Sequence, residues 1–341
     1  MKMSKKNTCD CEKISVGGQA LIEGIMMQGP KGAAMSVRMP DGTIDTEKLE
    51  VKHIRDKFKP AGWPLIRGVF NMAESLIFGF KCMEKSAEKV GIDDDTDPEN
   101  MSKLDKWLSD HFGPKMMAVV TGISMILGFG LAFLLFFYLP TFLVDIVDEY
   151  VFKNALAKLH PLFEGIFRMV IFVAYIWLVS KLPDIKRVFM YHGAEHKSIF
   201  CYEKGLELTV ENVREQSRFH PRCGTSFIFV ILIISILISS VLVVAFPGID
   251  TNRILWMAIK LLIVPLTVGI GYEFIRYAGK HDNILVKIFA APGLWMQRLT
   301  TQEPTDDIIE VGIESLKAVL YDEPQKDDTD ATTEESEADE N

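Results

Sequence analysis

Two short stretches hold the residues whose types and spacing could do chemistry together: YHGAEHKSIFCYE, Tyr191 to Glu203, and FHPRCGTSF, Phe219 to Phe227. In the first, His192 and His196 are one helical turn apart with Glu195 between them, so on a helix all three side chains leave from nearly one face. Two imidazoles at that spacing can bind one divalent ion, zinc being the expectation, and the carboxylate stands where a general base for a water is needed. The order is His-x-x-Glu-His, that of the inverted zincins. His220 and Cys223, spaced H-x-x-C, add an imidazole and a thiol. The competing reading is a hydrogen-bonded polar cluster at a membrane surface, and Gly193 weakens the required helix by about 1 kcal/mol relative to Ala.

The elements that must position these groups follow from composition. A chain of 341 residues suggests about two domains, but 48% apolar content places part of it in lipid. The formal charge of -9 is local. Asp322 to Asn341 carries ten acidic residues and one Lys, so the body is neutral and nothing argues for nucleic acid. That tail reads as solvated and disordered. The cysteines, Cys9, Cys11, Cys82, Cys201 and Cys223, are odd in number and fit thiols in a reducing cytosol. The start, MKMSKKNTCDCEK, has no apolar run after it and does not read as a signal peptide.

Ile14 to Pro30 reads as a tight Gly-Gly turn entering a short buried element, and AMSVRM and TIDTEKLEV alternate about an Asp-Gly turn as a hairpin. Trp63 to Lys85 has apolar residues at helical spacing, with Arg67 and Glu74 among them, and reads as an interfacial helix or one packed on a bundle. Four apolar stretches are long enough to span a bilayer as helices: Lys115–Leu139, ended by Pro140; Ile166–Leu182; Thr225–Phe246; and Ile254–Tyr272. Asn283 to Leu299, broken by Pro292-Gly293, suits an interfacial or re-entrant segment with Trp295 as anchor. Ile309, Ile313, Leu316 and Leu320 form the apolar stripe of a C-terminal amphipathic helix capped by Thr305.

The expected fold class is thus an α-helical integral membrane protein with about four transmembrane helices and an α+β cytoplasmic portion. Its divisions are a polar tail 1–13, an interfacial region 14–113, spans one and two in 114–183, a loop 184–224, spans three and four in 225–273, interfacial helices 274–321 and the tail 322–341. Seven Lys and Arg residues lie in the loop from Asp184 to Gly224. By the positive-inside rule that loop and both termini are cytoplasmic. The loop holds all five chemical residues, and Glu273, Arg276 and His281 emerge on the same face. Glu273 is a candidate further ligand, or else the ion-pair partner of Arg276 one turn on. Lys260, inside span four, reads as snorkelling outward, because no carboxylate partner is evident in the other spans.

Taken together, GGQALIEGIMMQGP, RGVFNMAESLIFGFK, YHGAEHKSIFCYEKG, HPRCGTSF and YEFIRYAGKH resemble the YqhQ family of bacterial multi-pass membrane proteins, from roughly Ile14 to Tyr321. The resemblance implies a bacterial plasma-membrane location. Members are described as proteins of unknown function or predicted metal-dependent enzymes, which implies His192, Glu195 and His196 here, with His220 and Cys223 as companions. The first functional expectation is a membrane-anchored metal-dependent hydrolase. His192 and His196 hold zinc, His220, Cys223 or Glu273 completes the set, Glu195 is the base and Arg276 holds an anionic group. The rival is a non-catalytic adaptor with a closed zinc site or a polar network, whose partners are other membrane machinery such as a translocation channel or transporter.

Overall fold

The computed structural model describes residues 16–51, 53–91, 122–153, 159–221, 223–278, 281 and 283–321. The readings of Cys9, Cys11, the first residues of span one and the acidic tail lie outside these residues.

A four-stranded antiparallel sheet, β1 (Gly17–Leu21), β2 (Gly24–Gly29), β3 (Gly32–Arg38) and β4 (Ile44–Leu49), runs in the order of the chain. The expected hairpin is present, with Arg38 paired to Ile44 around the Asp-Gly turn. The Gly-Gly turn is not. Gly17 and Gly18 begin β1, and the chain reverses instead at Ile22-Glu23, where Glu23 takes a φ of 51°. The unbroken apolar run GIMM of β2 is explained by burial on both faces. Ile25 and Met27 pack on one side against Ile308, Ile309, Ile313 and Leu316 of α8 (Asp306–Leu320), together with Tyr191 and Ala194 of α4 (Pro183–Glu203). Met26, Met35 and Val37 pack on the other side with Cys82 of α1 (Ile66–Val90). The expected stripe on α8 therefore docks within this same chain.

The helix α1 buries small residues, Gly68, Gly79, Cys82 and Ser86, and leaves Leu76, Ile77 and Phe80 outward. Its base is clamped to α6 (Arg253–Ala278). A Cβ on Gly68 would lie 2.6 Å from Tyr272, and one on Gly269 would lie 2.5 Å from the Leu65 carbonyl. Only glycine permits that approach.

Among the described residues, four helices are long and apolar enough to cross a bilayer: Gly122–Phe152 (α2), His160–Val179 (α3), Phe227–Ala245 within α5 (Gly224–Ala245), and α6. Pro140 does not end the first of them. The helix passes through it by way of a π-helical turn at Leu134–Tyr138 and continues to Phe152. In α-helical register the missing Pro140 N–H would leave the Phe136 carbonyl without its donor. Arg168 Nε from α3 donates to that carbonyl at 2.8 Å. The segment around Pro292-Gly293 is likewise unbroken, as α7 (Ile284–Thr300), with Trp295 half exposed.

The snorkelling reading of Lys260 is overturned. Its side chain is only 3% exposed, and its Nζ lies 2.7 Å from Glu164 Oε1 and 3.0 Å from Thr141 Oγ1. Glu164 in turn receives Arg168 at 2.5 Å. This partner escapes the sequence reading because Glu164 precedes Ile166, where the apolar stretch begins; the helix starts earlier, at His160.

Candidate metal centre

His192 and His196 sit in the middle of α4, as their spacing requires. Gly193 between them makes a contact that Ala could not: a Cβ there would lie 2.1 Å from the Gln302 carbonyl. The chain after α7 is thereby laid against α4, with Gln302 N donating to the Phe189 carbonyl. One consequence is chemical. His192 Nδ1 lies 2.8 Å from the Thr300 carbonyl, and His196 Nδ1 lies 2.6 Å from the Arg218 carbonyl. A carbonyl only accepts, so each Nδ1 carries the ring proton and each Nε2 is left with its lone pair.

Those nitrogens converge on sulfur. One ligand atom each from His192, His196 and Cys223 lie within 4.8 Å of one another, with His192 Nε2 3.3 Å from Cys223 Sγ. His196 Nε2 is shut off from solvent and meets no oxygen or nitrogen partner among the described residues; its polar neighbour is the Cys223 thiol. A buried ring nitrogen oriented by its other nitrogen, beside a thiol and a second such ring, fits a metal ligand set. Burial also pushes His196 and His220 below the ordinary imidazole range, toward the neutral form a ligand needs.

Glu195 is buried on the sheet side of the same helix. It accepts a hydrogen bond from the Gly18 N–H, and a Cβ on Gly18 would lie 3.1 Å from the Glu195 carboxyl carbon. Burial raises the carboxyl above its usual range, against the opposing pull of His192, His220 and the Gly18 amide. A carboxyl whose hold on a proton is strengthened by burial suits the role of a general base.

The other candidates fall outside the trio. His220 is a neighbour, its ring centroid 5.7 Å from that of His196, with its backbone held in both directions by Gln297 and its Nε2 3.5 Å from Glu203. Glu273 is not brought to the site. It forms a two-pronged pair with Arg67 of α1, at 2.7 and 2.5 Å, and also takes the Leu65 amide. Arg276 is exposed on the same helix as Glu273. Sequence reasoning missed Gly18, whose signal was the adjacent glycine pair. It also missed the carbonyls of Thr300 and Arg218, which carry no side-chain signal at all.

His192, Glu195 and Cys223 line one cleft of about 630 Å³. Its remaining walls are β1, α1, the start of α5 and the Tyr272 and Ile275 side chains of α6, with Asn71 Nδ2 donating to the Tyr272 hydroxyl at 2.7 Å.

The family described as "Protein of unknown function (DUF1385)" matches this chain over residues 63–322. The chain belongs to that family. A relative, the "Uncharacterized protein YqhQ" of Bacillus subtilis (strain 168), is 36% identical over 307 residues, 89% of this chain and 92% of the relative. No solved structure matches. The DUF1385 match takes in His192, Glu195, His196 and Cys223 but begins after the sheet, so Gly18 stands outside it.

Proposed function

We propose that this chain is a membrane-anchored, metal-dependent hydrolase whose site faces the cytoplasmic leaflet of a bacterial plasma membrane. The observation that carries the reading is the convergence of two carbonyl-oriented imidazoles and a thiol beside a buried carboxyl, in a cleft open to substrate. Three ligands of this kind with one position left over are the pattern of a catalytic zinc site. The orientation follows from the basic residues of the 184–224 loop and the positive-inside rule.

His192, His196 and Cys223 would hold the ion, and the nitrogen and sulfur donors favour zinc among divalent metals. When bound, the ion supplies Lewis acidity and makes water a better nucleophile at neutral pH. The chain's own groups do the rest. The carbonyls of Thr300 and Arg218 hold both rings in the tautomer that keeps Nε2 unprotonated. The Gly18 amide holds the Glu195 carboxylate, which takes a proton from the attacking water and delivers it to the leaving group. Arg276, exposed on the helix that carries the cleft-lining Ile275, would meet an anionic group outside the cleft.

An adaptor with a closed structural site requires a fourth protein ligand, and His220 stands apart from the trio. The test is Glu195→Gln, assayed on the full chain in lipid nanodiscs against a panel of chromogenic acyl esters, phosphodiesters and peptides. Wild type should turn over one class, and the variant should lose about 10²–10⁴ of that rate while keeping its zinc. Zinc-loaded wild type that turns over none, with four protein ligands seen by X-ray absorption, would establish the adaptor instead.

A further inference from the structure

We propose that the cleft receives the acyl chain of a membrane lipid, so that the ester bond at the polar end of that chain meets His192, Glu195 and Cys223. The ester cleavage rests on the hydrolase reading above; the binding of the chain does not.

Three observations carry it. First, the apolar wall is made by Met72 and Leu76 of α1, Phe227 and Ile228 of α5 and Ile275 of α6. Two of these helices are long and apolar enough to cross a bilayer. The third turns Ile77 and Phe80 outward, as a helix bordering hydrocarbon does. The cleft is therefore walled by the elements that meet lipid, with the reactive groups among its lining. Second, the lining among the described residues includes no Lys or Arg. An anionic head group gains nothing by entering, whereas an uncharged hydrocarbon chain meets a matching surface.

Third, the strand that borders the cleft is poorly disposed to a peptide. β1 is the edge of the sheet, the position at which an extended peptide could add as a further strand. Its Gly18 N–H is already given to Glu195. A peptide would have to displace the proposed base in order to pair there; an acyl chain needs no backbone donor. The reaction balances as a hydrolysis. The water oxygen bonds to the acyl carbonyl carbon, the bond from that carbon to the glycerol oxygen breaks, and the departing oxygen receives the proton through Glu195, leaving a fatty acid and a lysolipid alcohol.

The test is photolabelling of the full chain in nanodiscs of phosphatidylcholine and phosphatidylglycerol. Trace phosphatidylglycerol with a diazirine on its acyl chain is the probe, beside a diazirine-bearing palmitic acid, and labelled peptides are mapped by mass spectrometry. Zinc content is measured on the same preparations. The expected result is phospholipid label concentrated on Met72, Leu76, Phe227, Ile228 and Ile275, and lost from them in Ser75→Trp, which fills the cleft from α1. Ile228→Trp fills it from α5 and serves where Ser75→Trp does not fold. Label spread over outward positions such as Leu237, Val241 and Leu262, unchanged by either variant, would overturn the proposal even in zinc-loaded protein. Label from the free acid alone would overturn the esterified lipid as substrate. Cleft label without zinc would uphold the acyl-chain site and sink the hydrolase.

Discussion

At the scale of single residues, what distinguishes this site from an ordinary polar patch is how its atoms are turned. His192 and His196 each spend Nδ1 on a backbone carbonyl, which leaves Nε2 for a ligand. The thiol of Cys223 should then be protected by metal. With Cys9 and Cys11 replaced by Ser, we expect zinc to slow alkylation of Cys223 markedly, while Cys82 and Cys201, whose thiols burial pushes upward, react slowly with or without it. Equal Cys223 rates with and without zinc would contradict the ligand set. Gly18 is a second test. Gly18→Ala places a methyl 2.6 Å from the Met26 carbonyl and 3.1 Å from the Glu195 carboxyl carbon. It should cost about 1–3 kcal/mol of stability, read as a lower unfolding midpoint, and should impair turnover more than zinc content. That His192, Glu195 and His196 share one helix was legible from spacing alone. That Cys223 rather than His220 converges on the two imidazoles was not, since both lie in the short stretch before α5; His220 is instead held by Gln297 and directed toward Glu203.

At the scale of elements, sequence patterning located most helices but misread where some of them stop. Proline is a sound stop signal in water; inside the bundle, a π-helical turn and the Arg168 guanidinium make up for what Pro140 removes. The account predicts a coupling. Arg168→Leu strips a donor from both Phe136 and Glu164 and should destabilise the protein by several kcal/mol, in line with about 3–5 for a broken buried pair. Adding Pro140→Ala restores an N–H one helical turn beyond Phe136 and should recover about 1 kcal/mol of that loss. A cycle measured by denaturant unfolding in detergent that shows strict additivity would contradict this role for Arg168. The Glu164–Lys260 pair was hidden for a related reason. A charge near the start of a span looks like a flank until the bundle closes over it. By contrast, α8 was readable, because its stripe at helical spacing has a partner sheet to cover it.

At the scale of the whole molecule, the sheet, α4 and α8 form a packed body joined to the helical bundle through α1, α6 and the chain after α7. The site lies where they meet. Four apolar stretches were legible because hydrocarbon demands them; the convergence of β1, α4, α5 and α7 on one point was not, because it depends on glycine contacts at Gly18 and Gly193 that the sequence presents only as turn or helix-weakening residues. The proposed orientation predicts that a cysteine at Lys204 reacts with impermeant reagents only in inside-out vesicles, and labelling in intact cells would reverse it. The most direct test of the central claim is metal content by elemental mass analysis of the detergent-purified chain, wild type beside His192→Ala/His196→Ala and Cys223→Ser. The account predicts about one zinc per chain in wild type, lost in the double variant and reduced in Cys223→Ser. No stoichiometric metal after reconstitution under reducing conditions, or metal retained without the two histidines, would contradict it.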